Sequence, residues 1–301
     1  MPAPTLVCIH GRGQEFKDPD QLRTKWLAAL NAGLTQAGAA GLSADRMAFP
    51  FYGDVLYRVT AESAGKPLRL ESNEPGPIHP ATPPDVGALE REMLADMAGH
   101  AGMAVPLRDA RRETAERRPG GGRVREEGLD RILSWRAARE LLTGLAKRSR
   151  VDQLVVEAHL RDVAMYLTRG RDRVLREVKR AIPGGTPLVL VSHSLGTVVA
   201  RDLLQDDGIR GRTVLWVTAG SPLGLEAVQR NLLEPGARNP GVPWLTAYDV
   251  NDVVALGHPL RKTWGSPLTD AEVQNDNDPH SIARYLAHAR VAEPIGTAAS
   301  G

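Results

Sequence analysis

Leu188-Val189-Leu190-Val191-Ser192-His193-Ser194-Leu195-Gly196-Thr197-Val198-Val199-Ala200-Arg201-Asp202-Leu203-Leu204 reads as a buried strand, an abrupt turn and a helix. Four aliphatic residues in a row have the continuous apolar character of a strand covered on both faces. The residues from 197 onward are compatible with a helix. Between them stands Ser194. A turn this tight strains its central residue, so the residues two before and two after it must be small if strand and helix are to approach each other. Gly196 meets that need on one side, and Ser192 stands where such turns usually carry glycine. The pattern predicts a serine hydroxyl presented at the tip of a strand-to-helix turn.

Outward from this stretch, short aliphatic or β-branched runs occupy residues 5–9, 47–51, 214–218 and 244–248. Helix-length segments such as 20–34 and 197–206 lie between several of them, which predicts an α/β fold with a mostly parallel sheet flanked by helices. Because the first run begins almost at residue 1, the sheet is expected to lack a leading antiparallel hairpin. Residues 54–150 break the rhythm. They carry Glu74-Pro75-Gly76-Pro77, Thr82-Pro83-Pro84 and Pro119-Gly120-Gly121-Gly122 as breakers, with helical stretches such as 86–98. Leu129, Ile132, Leu133, Leu141, Leu142 and Leu145 then recur at helical spacing. The expected organisation is a core divided between residues 1–53 and 151–301, with 54–150 inserted as a helical cap. Thirteen basic against seven acidic residues between 108 and 150 make part of that cap cationic. This is either a solvated helical face or a lid that draws in anions.

Composition sets further bounds. A chain of 301 residues with 42% hydrophobic and 25% charged content has enough apolar material for a sizeable core. The net charge of +2 argues against nucleic acid as a partner. The single cysteine, Cys8, allows no intrachain disulfide and reads as a small buried hydrophobe. With no signal-peptide pattern and no apolar run of transmembrane length, the expected location is cytoplasmic. Oligomeric state is not legible.

A serine hydroxyl is a weak nucleophile until a base takes its proton and a third group orients that base. On a parallel sheet those groups come from loops at the carboxyl ends of later strands, in the order serine, acid, histidine. After the run at 244–248 come Asp249 and Asp252, two competing acids, of which Asp252 is favoured because a turn before Val253-Val254 can aim it inward. His280 leads as base, since Pro279 fixes a turn before it and a helix-like segment follows. His258 is too near Asp252 in sequence, and His288 reads as a helix-surface residue. His193 reads as packing beside the nucleophile.

The tetrahedral intermediate of acyl transfer needs two backbone N–H donors. Leu195 supplies one. The glycine-rich turn His10-Gly11-Arg12-Gly13 supplies the other, assigned to Arg12, with His10, Gly11 and Ser221 as candidate pocket residues. Asp276-Asn277-Asp278 reads as a hydrogen-bonded loop rather than a calcium site. His159 and Asp162 lack further ligands at zinc spacing. Asp162 and Tyr166, one helical turn apart, read as packing. No metal and no cofactor are expected.

Taken together, Ile9-His10-Gly11-Arg12-Gly13, Val191-Ser192-His193-Ser194-Leu195-Gly196, Ala219-Gly220-Ser221-Pro222-Leu223, the Asp252 loop and His280 resemble the α/β-hydrolase superfamily, in its lipase/esterase-like serine hydrolases. The resemblance spans the chain apart from the insertion. It implies that fold, reduced at the N-terminus, with Ser194 as nucleophile, His280 as base, Asp252 as orienting acid, and Arg12 and Leu195 as backbone oxyanion donors. It further implies an acyl-enzyme mechanism on a small-molecule ester or lipid-like substrate. An acyltransferase or thioesterase using the same residues, or a catalytically silent binding module on the same fold, is the competing expectation.

Overall fold

A computed structural model describes residues 2–63, 83–103, 141–145 and 153–301. Among them are six strands: β1 (Thr5–Ile9), β2 (Met47–Ala48), β3 (Leu188–His193), β4 (Thr213–Ala219), β5 (Trp244–Tyr248) and β6 (Leu268–Glu272). They form one all-parallel sheet in the order β2-β1-β3-β4-β5-β6. The longer helices are α1 (Pro19–Gln36), α2 (Gly53–Ser63), α3 (Pro84–His100), α4 (Gln153–Met165), α5 (Arg171–Arg180), α6 (Leu195–Leu203), α7 (Ile282–Ala287) and α8 (Ala289–Ser300).

The two-residue pleat of a strand sends alternate side chains to opposite faces, and here both faces are apolar. Val7, Ile9, Leu188, Leu190, Trp216, Trp244 and Leu268 enter one buried cluster with residues of α2 to α6. Leu6, Cys8, Val189, Val191, Val217, Ala219, Leu245, Ala247 and Ala271 enter a second with α1, α7 and α8. Parallel sheets covered on both sides produce this uninterrupted apolar reading. It is why the central strands were recognisable from sequence.

The ends of several elements differ from expectation for local reasons. The run at 47–51 yields only a two-residue strand, because Pro50 has no N–H to give a ladder. Strand β6 escaped the reading: Leu268-Thr269-Asp270-Ala271-Glu272 lies at the sheet edge and buries only Leu268 and Ala271. The helix expected at 197–206 starts at Leu195, directly after the turn, and stops at Leu203. His288 stands at the joint between α7 and α8 rather than inside a helix.

Within residues 54–150, Leu56 and Val59 of α2, Val86, Leu89, Met93, Leu94 and Met97 of α3, and Leu141, Leu142 and Leu145 share the cluster that holds Val7 and Leu190. These parts of the insertion are packed into the layer over the sheet. Leu129, Ile132, Leu133 and most of the arginine-rich stretch lie outside the described residues.

Candidate functional site

From β1 the chain moves outward to β2, whereas from β3 it moves the other way to β4, β5 and β6. The crevice between the carboxyl ends of β1 and β3 is therefore where strand order reverses, the place where open parallel sheets put their sites. The His10-Gly11-Arg12 turn leaves β1 there, and Ser194 leaves β3 beside it.

Ser194 has φ 55° and ψ −129° and is followed at once by α6. A non-glycine residue in this region costs on the order of 1–3 kcal/mol and persists only where its surroundings hold it. Two features hold it. The Ser194 N–H donates to the Ala219 carbonyl at 3.0 Å, and Thr197 Oγ1 donates to the Ser194 carbonyl at 2.7 Å. At Gly196 any Cβ would collide with the Ile9 and His10 carbonyl oxygens, so only glycine lets α6 approach β1 this closely. Ser192 is no passive substitute for glycine. Its hydroxyl accepts from Trp216 Nε1 and donates to the Val217 carbonyl, both at 3.0 Å, tying β3 to β4 beneath the turn.

The residues expected to act with Ser194 converge on it. Ser194 Oγ lies 3.0 Å from His280 Nε2, while His280 Nδ1 lies 2.9 and 3.0 Å from the two oxygens of Asp252. Of the two competing acids, Asp252 is the one facing His280. Asp249 instead accepts from the Asn251 N–H and side-chain amide and from the Asn275 N–H, closing the loop that leads toward His280. Asp252 caps the short helical turn that follows it, accepting from the Val254 N–H at 3.0 Å. Burial pushes its carboxyl toward the neutral form, but His280, Tyr285 and the Val254 N–H outweigh that and hold its pKa below the usual value. Asp252 is therefore an ionised acceptor, which places the proton of His280 on Nδ1 and leaves Nε2 free to accept from Ser194. Gly220, at the end of β4 with φ 54°, lies under this pair; a Cβ there would stand 2.7 Å from Asp252 Oδ2 and 3.0 Å from His280 Nδ1.

Three neighbours were not read as part of the site. Tyr285, on α7, donates from its hydroxyl to Asp252 Oδ2 at 2.8 Å. His193 donates from Nε2 to the His280 carbonyl at 2.9 Å and so holds the backbone that carries the His280 ring. Burial, with His280 nearby, lowers the His193 pKa to about 3, so its ring is neutral. His159, on α4, brings Nδ1 to 3.5 Å from Ser194 Oγ. Its only signal in sequence was its spacing from Val155 and Val156, which puts all three on one helix face. Nothing local pointed to a serine 35 residues further on.

Gly11, Arg12, Gln14, Val155, Val156, His159, Val253 and Val254 line a cavity of about 180 Å³ over Ser194 and His280. A second cavity, of about 210 Å³, shares Gly11 and Arg12 and is lined by Glu15, Glu157, Arg161 and Asp162 among others. Arg12 is fixed by its guanidinium, whose Nε donates to Asp162 on α4 at 2.7 Å. Leu195 opens α6, where the first N–H groups of a helix have no intrahelical partner. Of the three candidate pocket residues, Gly11 lines the cavity over Ser194. His10 and Ser221 do not. His10 is buried and stacked on Tyr52 at 4.1 Å; it donates from Nδ1 to the Gly11 carbonyl and accepts from the Tyr52 N–H. Ser221 bonds to Thr197 Oγ1 at 2.8 Å and accepts from the Leu223 N–H. His258 is engaged by Thr246 and Ala255, and Tyr166 by Asp202. Among the described residues no group of three or more histidine, cysteine or acidic side chains is arranged to hold a metal ion. No helix among them is long and apolar enough to cross a membrane.

No protein-family model matches the chain, and neither curated proteins nor solved structures contain a significantly similar one.

Proposed function

We propose that the chain is a serine hydrolase of the α/β-hydrolase fold that cleaves a carboxylic ester through an acyl-enzyme on Ser194. The observation that carries the reading is the hydrogen-bonded series Ser194 Oγ, His280, Asp252 ending on a serine with φ 55°. A histidine and an ionised acid are each ordinary alone. Their meeting with Ser194 at the switch point of a parallel sheet, in the chain order serine, acid, histidine, is the arrangement that activates a hydroxyl.

The chemistry follows from the proton positions. Asp252 holds His280 with its proton on Nδ1, so Nε2 takes the Ser194 proton as Oγ bonds to the ester carbonyl carbon. Negative charge gathers on the carbonyl oxygen, where the Leu195 and Arg12 N–H groups stabilise it. His280 then gives the proton to the leaving alcohol as the C–O bond breaks. Water, deprotonated by the same nitrogen, releases the acid and restores Ser194. The valine-lined cavity over Ser194 suits a small apolar acyl group, and the neighbouring cavity, which mixes Leu56, Tyr57 and Leu154 with Glu157 and Arg161, has room for the alcohol portion.

The test is labelling with a fluorophosphonate probe and turnover of p-nitrophenyl esters of increasing chain length. Wild-type protein should be labelled and should prefer short acyl chains, while Ser194→Ala should lose labelling and roughly 10⁴-fold or more of kcat. A wild-type chain inert to both would favour the binding-module alternative.

A further inference from the structure

Resting on the serine hydrolase reading, we infer that His159 is a further catalytic residue, a side-chain hydrogen-bond donor to the oxyanion formed at Ser194.

The argument starts from proton counting. The single Ser194 hydroxyl proton points to His280 Nε2, because His280 carries its own proton on the Asp252 side. Toward His159, Ser194 Oγ therefore presents lone pairs. An imidazole nitrogen 3.5 Å from them is attracted if it bears hydrogen, so the inferred tautomer of His159 is the one protonated on Nδ1. At this separation the bond to Oγ itself is weak. The oxygens of a carbon bonded to Oγ project further into the cavity that His159 lines, closer to that donor.

Position decides which oxygen it meets. The leaving oxygen must face His280 Nε2, which supplies its proton. His159 approaches Ser194 from another side: its ring centroid is 6.0 Å from that of His280, with the planes at 81°. It comes from α4, the helix clamped to the Arg12 turn by the Arg12–Asp162 ion pair, and Asp162 stands one helical turn beyond His159 on the same face. The ion pair that ties the Arg12 side chain to α4 thus also keeps His159 beside the turn whose Arg12 N–H is the proposed oxyanion donor. Ser194 Oγ is the one hydrogen-bond partner of the buried His159 ring among the described residues. Burial, reinforced by His280, Arg12 and His193, lowers its pKa well below the usual histidine value. A neutral donor can serve an anion without adding a second positive charge beside protonated His280. No proton leaves His159 in either half-reaction; it is His280 that shuttles the Ser194 proton.

The experiment compares His159→Asn, His159→Gln and His159→Leu in the full chain, using p-nitrophenyl butyrate turnover and fluorophosphonate labelling, with circular dichroism to check folding. Asn can place its amide N–H near the former Nδ1, whereas Gln reaches toward the former Nε2 and Leu has no donor. His159→Leu and His159→Gln should lose about 100-fold in kcat with little change in KM, the scale of one oxyanion donor, and His159→Asn should recover at least a tenth of wild-type kcat. Folded His159→Leu and His159→Gln with kcat within about three-fold of wild type would reduce His159 to packing and overturn the inference while leaving the hydrolase reading intact. A wild-type chain that neither hydrolyses the ester nor takes the label would overturn both.

Discussion

The Tyr285 hydroxyl donates to Asp252 Oδ2 at 2.8 Å, the same oxygen that stands 2.9 Å from His280 Nδ1. It also accepts from the Asp249 N–H at 2.9 Å, so one phenol joins the loop after β5 to the helix that follows His280. Both partners are buried, and an unpaired Asp249 N–H costs about 1–3 kcal/mol. Tyr285→Phe should therefore lower stability by about that amount in urea unfolding, and kcat on an ester by roughly ten-fold through a looser Asp252. An unchanged kcat in the folded variant would make Tyr285 a purely structural bridge.

The two acids should separate by function. Asp252→Asn places an amide where His280 needs an acceptor and disturbs its tautomer, so kcat should fall by about 10⁴-fold. Asp249→Asn should chiefly weaken the loop, because that carboxylate accepts from Asn251 and Asn275 rather than from His280. Its expected signature is a lower unfolding midpoint with kcat retained within about ten-fold. The reverse pattern in steady-state kinetics would show that the wrong carboxylate has been assigned to the base.

Ser192→Gly would restore the commoner residue of such turns, yet it should destabilise this chain. Trp216 Nε1 would lose its acceptor inside a fully buried ring, and the Val217 carbonyl its side-chain donor. The expected loss is about 1–3 kcal/mol, with activity per folded molecule preserved because Ser194 keeps Gly196 and its own backbone bonds. Unfolding midpoints that coincide for the two proteins would show that the Ser192 bonds contribute nothing net.

Acid should weaken the fold through its buried neutral histidines. Burial lowers His10 to about 4 and His193 to about 3, from an ordinary value of 6.5. Between these limits the unfolded chain binds protons that the folded chain refuses, so stability rises with pH and is lost as pH falls below about 6.5. Each histidine contributes up to about 1.4 kcal/mol per pH unit across that window. Asp252, held low, adds its own loss only at lower pH, as its folded pKa is approached. Urea midpoints should decline steadily from pH 6.5 to pH 4.5; a flat profile over that interval would contradict the burial of these rings as neutral groups.

Strands β1, β3, β4 and β5 were legible because a sheet covered on both faces demands apolar side chains at every position, and a strand-to-helix turn demands small residues around its serine. Edge strand β6 was not, since a strand buried on few positions writes no such pattern. Ser194, Asp252 and His280 could be named because each follows or sits beside a local signal: a strand end, a turn before valines, a proline before a helix. His159 and Tyr285 carried no comparable signal, and His193 and Gly220, which stand in the Ser194 and Ser221 turns, carried none that tied them to Asp252 or His280. Their positions depend on α4, α7 and the end of β4 meeting at the carboxyl end of the sheet, and a side chain's neighbours across more than 30 residues are a property of that packing, not of the residues flanking it in the chain. Local chemistry thus determined which hydroxyl, carboxylate and imidazole groups the sequence sets at the ends of its strands and turns. Only the tertiary structure decided which of two aspartates faces His280 and which other histidine stands over the serine.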